Sequence, residues 1–280
     1  MKQALNIKLY SLLSVPLFLL ASCTTSRYAA TEKIYKGKAK EFSETIKAVP
    51  PVGQGVPGLT TDEQMWVGSI NFGIRKPNFV IIHHTAQNSL QQTINTFLVK
   101  GKSEVSSHYI VGRDGKVVQM VNDYLRANHG GIGTWGNNTD LNSSSIGIEL
   151  DNNGTTDTFT EAQVQSLIKL LDALKKRYNI PTANFIGHAD IAPGRKNDPK
   201  NFPWKRMAEN GFGLWYDSVL VMPPVDFDAV AALRIIGYNV KNINAAIEAF
   251  KIHFVQTDIT PNLTPADRLI LYNLYKKYMF

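Results

Sequence analysis

Six histidines, His83, His84, His108, His129, His188 and His253, are the first candidates for chemistry near neutral pH or for metal binding. Two of them close short apolar runs, Phe79-Val80-Ile81-Ile82-His83 and Asn184-Phe185-Ile186-Gly187-His188. Strand ends that face loops are where α/β folds build their sites. His83 and His84 are neighbours on a strand and point to opposite faces, so only one readily serves a given site. Spacing alone leaves two roles open for such a histidine, metal ligand or hydrogen-bonded structural residue. Glu149, in Ser145-Ile146-Gly147-Ile148-Glu149-Leu150, is open in the same way between a catalytic carboxylate and a solvent-facing one.

The elements that must position these residues follow from patterning. Phe79–His83 is a short β-branched run typical of a buried strand. Ser89-Leu90-Gln91-Gln92 has the form of a capping box and opens a helix through about Val99. His108–Val111 and Lys116–Val121 flank Arg113-Asp114-Gly115, which predicts a hairpin. Residues 122–144 are rich in Gly, Asn and Ser, and a loop of that length in a compact domain is functional or disordered. Ser145–Leu150 is another strand. Thr160-Glu161-Ala162-Gln163 is a second capping box, and the helix after it aligns Val164, Leu167, Ile168, Leu171 and Leu174 on one stripe. Asn184–His188 is the last strand and empties into a Pro/Gly-rich loop, Ala189–Pro203. This pattern predicts an α/β domain, residues 58–222, with a mixed central β-sheet flanked by helices. Beyond Met222-Pro223-Pro224 the pattern turns helical. Asp228–Ile236, Asn244–His253 and Thr264–Tyr278 predict a small C-terminal three-helix domain at 223–280, with Pro265 at a first helical position.

The N-terminus speaks about location. Met1–Lys8 carries two lysines, and Leu9–Leu20 is an apolar stretch too short to span a membrane, so residues 1–22 read as an export signal. Leu20-Ala21-Ser22-Cys23 resembles the lipobox of bacterial lipoproteins, in which the cysteine becomes the lipidated first residue. Cys23 is the sole cysteine of the chain, so no disulfide framework exists. Residues 23–57 are polar and lysine-rich and read as a tether. The whole chain carries a net charge of +7. Losing Lys2 and Lys8 leaves 28 Lys and Arg against 23 Asp and Glu, a net +5. That excess is too scattered to predict nucleic-acid binding, and suits an anionic polymer or membrane surface only weakly.

Ile81-Ile82-His83-His84-Thr85-Ala86 and the thirteen-residue segment Gly187–Pro199 resemble two signature segments of the N-acetylmuramoyl-L-alanine amidases. The relevant branch includes phage T7 lysozyme and the peptidoglycan recognition proteins. The resemblance covers about residues 62–210 and, more loosely, 226–280, which is similar to a three-helix peptidoglycan-binding domain. It implies zinc ligands at His83, His188 and Asp198, with His84 where relatives often have Tyr. Two imidazoles and a carboxylate with a fourth position open is a catalytic rather than structural zinc arrangement. It further implies Glu149 as the proton-transferring acid/base and Lys196 as the cation facing the oxyanion. His129 falls where relatives carry an Ala-Trp-His context, here Ala127-Asn128-His129, which implies a substrate-contacting cleft residue. Asp190 is expected to accept backbone N–H bonds in its tight loop. His108 is expected to be structural or to support a ligand, His253 packed or on the surface, and Phe202-Pro203-Trp204 to pack the loop.

Together these features imply a zinc hydrolase of the amide between the muramic-acid lactyl group and L-Ala, acting on peptidoglycan and muropeptides. Lipid attachment at Cys23, with Thr24 rather than an inner-membrane-retaining Asp next to it, implies an outer-membrane lipoprotein facing the periplasm. A non-catalytic wall-binding protein of the same fold and a zinc peptidase cutting within the stem peptide are the alternatives. Occupied ligand positions with Glu149 and Lys196 weigh against the former, and only the resemblance weighs against the latter.

Overall fold

The computed structural model describes residues 26–47, 76–99 and 104–280. The expected signal at 1–22, Cys23 and residues 48–57 of the expected tether lie outside the described residues. Within the expected tether, helix α1 (Ala29–Lys47) forms where the sequence predicts no regular element, and it buries no residue. Its content of Ala, Lys and Glu, all good helix formers, favours a helix that packing does not demand.

The described residues from 76 onward belong to one compact unit. Its five strands are β1 (Phe79–His84), β2 (Tyr109–Val111), β3 (Val117–Gln119), β4 (Ser145–Leu150) and β5 (Phe185–Gly187), in the order β3-β2-β4-β1-β5. β1 pairs in parallel with β4 and β5, β2 in parallel with β4, and only the β2–β3 hairpin is antiparallel. The helices are α2 (Leu90–Leu98), α3 (Leu141–Ser144), α4 (Glu161–Tyr178), α5 (His188–Ile191), α6 (Trp204–Glu209), α7 (Ala229–Ile236), α8 (Ile243–Phe254) and α9 (Pro265–Met279). A mixed sheet flanked by helices is the architecture the patterning predicts.

Local chemistry departs from expectation at three points. Ser89 caps α2 by accepting from the Gln92 N–H, but the Gln92 side chain returns to the Asn88 N–H, one residue before the cap. Thr160 caps α4 through the Gln163 N–H, whereas the Gln163 amide is drawn inward to the carbonyls of Val111 and Asp151. It ties α4 to two strand ends instead of closing a capping box. His188 is not the last residue of a strand; β5 stops at Gly187 and His188 opens α5.

The central strand β1 is apolar on both faces, as a parallel strand covered on both sides must be. Val80 and Ile82 join Ile146, Ile148 and Leu150 beneath the α4 stripe of Val164, Leu167, Leu171 and Leu174. Ile81 and Ile186 face the other way, into a core shared with Leu233, Ile236, Phe250, Phe254, Leu271 and Leu274 of α7, α8 and α9. The three C-terminal helices form as expected, and their apolar faces close one side of the sheet. Loop 122–144 is stitched to them, with Trp135 edge-on to Tyr238 at 5.0 Å and the Gly136 N–H bonded to the Gly237 carbonyl at 2.8 Å.

A shared core predicts shared cooperativity. Phe250→Ala should cost about 3–5 kcal/mol and lower the melting temperature by roughly 10 °C in a single calorimetric transition. Two separated transitions would contradict the shared core.

Candidate metal centre and cleft

Strand register gathers the site. His83 is the Cα partner of Glu149, Ile81 that of Gly147, and Ile82 that of Gly187. In-register residues on neighbouring strands share a face, so His83 and Glu149 project together on the side away from α4. His188 arrives at the same level, one residue past the end of β5. Asp198 comes back from the following loop, whose ends are joined by the bond from the Ala189 N–H to the Asp198 carbonyl at 2.8 Å. The Asp198–Pro199 peptide is cis. The whole site lies at the carboxyl ends of the parallel strands.

There the Nδ1 atoms of His83 and His188 stand 2.9 Å apart, and Asp198 Oδ2 lies 3.1 Å from His188 Nδ1 and 3.4 Å from His83 Nδ1. All three side chains are buried. These separations are close to the edge, about 3.3 Å, of a tetrahedron with bonds of about 2.0 Å. Burial, then His188, pushes His83 down to about 4. Burial opposes the Asp198 carboxylate, but hydrogen bonds with His188 and His83 outweigh it and hold it far below the usual range. A neutral imidazole and an ionised carboxylate are the protonation states a metal ion requires. The donor set fits a divalent cation of the zinc type, and among the described residues it is the one cluster of its kind.

A row of hydrogen bonds sets the tautomer of His83. The Ser145 hydroxyl donates to the Leu141 carbonyl at 2.5 Å, leaving its oxygen to accept from His129 Nε2 at 3.2 Å. His129 Nδ1 must then accept from His83 Nε2, 3.1 Å away, which leaves the His83 Nδ1 lone pair aimed at His188 and Asp198. Burial, then the charge of His83, holds His129 well below its ordinary value. His129 borders the cleft as the sequence implies, yet both of its ring nitrogens are engaged within the protein. Its geometry is that of a support for His83, the outer-shell role that orients metal ligands. Gly147 makes room for it. A Cβ there would meet the His129 ring at 2.3–2.6 Å. Glycine inside a strand signals such close approach, and this one carries the same signal in the sequence. His108 is structural, accepting the Gly147 N–H at 3.1 Å and donating to the Leu125 carbonyl at 3.0 Å.

Glu149 and Lys196 line the same open cleft of about 760 Å³ as the three donors. Burial, then the Asp198 charge, raises Glu149 to about 8, with Lys196 pulling the other way. A carboxyl near neutral pKa beside a metal-type site can both take and return a proton.

The sequence gives no sign of the clamp beneath α5. Asp190 accepts from the Gly187 N–H as expected, and also from Tyr238 Oη and His253 Nδ1, each at 2.7 Å. His253 stacks on Trp204 at 3.9 Å and on Phe254 at 4.1 Å. The C-terminal helices thereby grip the short helix that begins with His188.

Residues 74–201 match the family model of N-acetylmuramoyl-L-alanine amidases. The chain is 34% identical over 231 residues to the amidase AmiD of Escherichia coli, an alignment spanning 71% of this chain and 82% of that protein. The solved structure of AmiD with anhydro-N-acetylmuramic acid-L-Ala-D-gamma-Glu-L-Lys superposes with a TM-score of 0.64 at 30% identity, covering 79% of this chain and 96% of that one. AmpDh3 of Pseudomonas aeruginosa, solved with an anhydromuramic pentapeptide, gives 0.65 at 27% identity, covering 79% and 99%. A mixed sheet flanked by helices is thus the fold of known amidases. This chain belongs to the N-acetylmuramoyl-L-alanine amidase family and is an enzyme of that class.

Gly147→Ala should displace His129 and weaken metal affinity by about 10- to 100-fold, read by chelator competition, while circular dichroism stays native. In metal-free protein, the raised Glu149 pKa means the folded state holds a proton that the unfolded state releases above about 4.5. The stability this group contributes is full below that value and is lost as pH rises through about 8. Metal-free Glu149→Gln should therefore melt above wild type at pH 8, and a lower melting temperature would refute the assignment.

Proposed function

We propose that the chain is a zinc-dependent N-acetylmuramoyl-L-alanine amidase of peptidoglycan and anhydro-muropeptides, exported and held by a lipid on Cys23. The observation that carries it is the convergence of His83 Nδ1, His188 Nδ1 and an Asp198 oxygen within 3.4 Å of one another, with Glu149 free beside them. Support for the substrate class comes from AmiD and AmpDh3, whose solved complexes hold anhydro-muropeptides. The lipobox-like Leu20–Cys23 followed by Thr24 favours an outer-membrane lipoprotein facing the periplasm. The helices within 223–280 would serve as a wall-binding element.

His83, His188 and Asp198 would hold the ion. Zinc bound there would supply Lewis acidity and lower the pKa of an attacking water to about 7. Glu149 takes a proton from the water as its oxygen bonds to the lactyl carbonyl carbon. Lys196 offers positive charge to the carbonyl oxygen as it becomes anionic. Glu149 then returns the proton to the alanine nitrogen as the C–N bond breaks, leaving a lactyl carboxyl group and a free L-Ala amine. The His129–Ser145 row keeps the His83 lone pair directed inward.

Digestion of peptidoglycan with zinc-loaded protein lacking residues 1–23 should release peptides that begin with a free L-Ala amine, identified by mass spectrometry. Asp198→Ala should abolish the release. New ends inside the stem peptide would identify a peptidase instead, and an intact wall that still binds protein would identify a non-catalytic binder.

A further inference from the structure

Helix α8 runs along the rim of the metal-donor loop. A Cβ at Gly194 would come within 2.9 Å of the Ala245 Cβ, so the first turn of α8 abuts the loop that leads through Lys196 to Asp198. Ala245, Glu248, Ala249 and Ile252 follow at helical spacing on one face. The last three of them line the cleft, together with Ile259 from the segment after α8. Glu248 therefore stands three residues, about 4.5 Å along the axis, from the Gly194 contact.

The side chain of Glu248 is half-buried and makes no hydrogen bond or ion pair with another described residue. Most carboxylates of this unit have a cation or a capping N–H, as Asp123, Asp157, Asp190 and Asp267 do. The cations at the cleft, Arg195 and Lys196, belong to the metal-donor loop, and neither bonds Glu248. An unpartnered carboxylate beside Ala249, Ile252 and Ile259 has a definite chemical complement. It is a primary ammonium on an aliphatic stem, whose methylenes cover the isoleucines while the charge reaches the acid.

We propose that Glu248 is a specificity-determining residue that receives the side-chain ammonium of a diamino residue in the peptide of the substrate. This rests on the amidase reading. The ligand solved with AmiD carries L-Lys two residues after L-Ala. Extended, L-Ala spans about 3.5 Å, the γ-linked Glu spans more because its path runs through two additional methylene carbons, and the lysine stem extends the reach further along the cleft that Glu248 lines. The C-terminal helices thus act on the soluble part of the substrate within the catalytic cleft itself.

Two substrates test this on the full zinc-loaded protein. One is anhydro-N-acetylmuramic acid-L-Ala-D-γ-Glu-L-Lys, and the other is the same compound with the lysine Nε acetylated, which keeps length and removes charge. Wild type should prefer the free amine by about 5- to 10-fold in kcat/KM, expressed in KM. E248Q should raise KM for the free amine and erase that preference, and Glu248→Asp should restore part of it. Equal turnover of the two substrates by wild type, or an equal loss on both in E248Q, overturns the proposal. Cleavage of neither substrate would overturn the amidase reading and the proposal with it.

Discussion

Three electron-rich atoms held within 3.4 Å of one another on buried side chains are an arrangement that opposes itself. Two imidazole lone pairs and a carboxylate repel, and burial removes the solvent that would screen them. Much of the surrounding architecture serves to hold this cluster closed. Parallel pairing of β1 with β4 and β5 fixes His83 against Glu149 and brings His188 level with both. The bond between the ends of loop 189–198 returns Asp198 to the same point. The His83–His129–Ser145 row prevents the first imidazole from turning its N–H inward.

The C-terminal helices belong to this scaffold. They bury the face of the sheet on which Ile81 and Ile186 lie, and side chains of that size contribute about 1.5–3 kcal/mol each when removed from water. Their second contribution is polar. Asp190 is a buried carboxylate whose desolvation is offset by three donors, two of them from Tyr238 and His253 in the helical segment. Such a group is costly when any donor is missing, because the unmet acceptor keeps its full desolvation penalty. The ligand helix and the C-terminal helices are therefore coupled through two layers, one apolar and one hydrogen-bonded.

Elements whose cause is local were legible in the sequence. The run Phe79–His83, the Asp-Gly hairpin, the caps at Ser89 and Thr160 and the stripe of α4 all appear where composition and periodicity place them. The candidate metal donors were legible only through family resemblance, because His83 and His188 look like any strand-end histidines by spacing. What escaped depends on contacts between segments far apart in the chain. The Gln163 amide bonds Val111, 52 residues away, and His253 bonds Asp190, 63 residues away. Nothing in the helical pattern of residues 243–254 distinguishes His253 as a clamp or Glu248 as a cleft wall. Gly147 is the intermediate case, since a strand glycine announces close approach without saying what approaches.

The chain distances between the metal donors carry a consequence for assembly. His188 and Asp198 are 10 residues apart, whereas His83 is 105 residues from His188. An unfolded chain can bring the near pair together at small loop-closure entropy, but the third donor waits for β1 to pair with β5. Until that pairing forms, a cation meets at most a loose two-donor site. Tight capture of an ion would thus report completion of the sheet, with backbone pairing first and ion loading last.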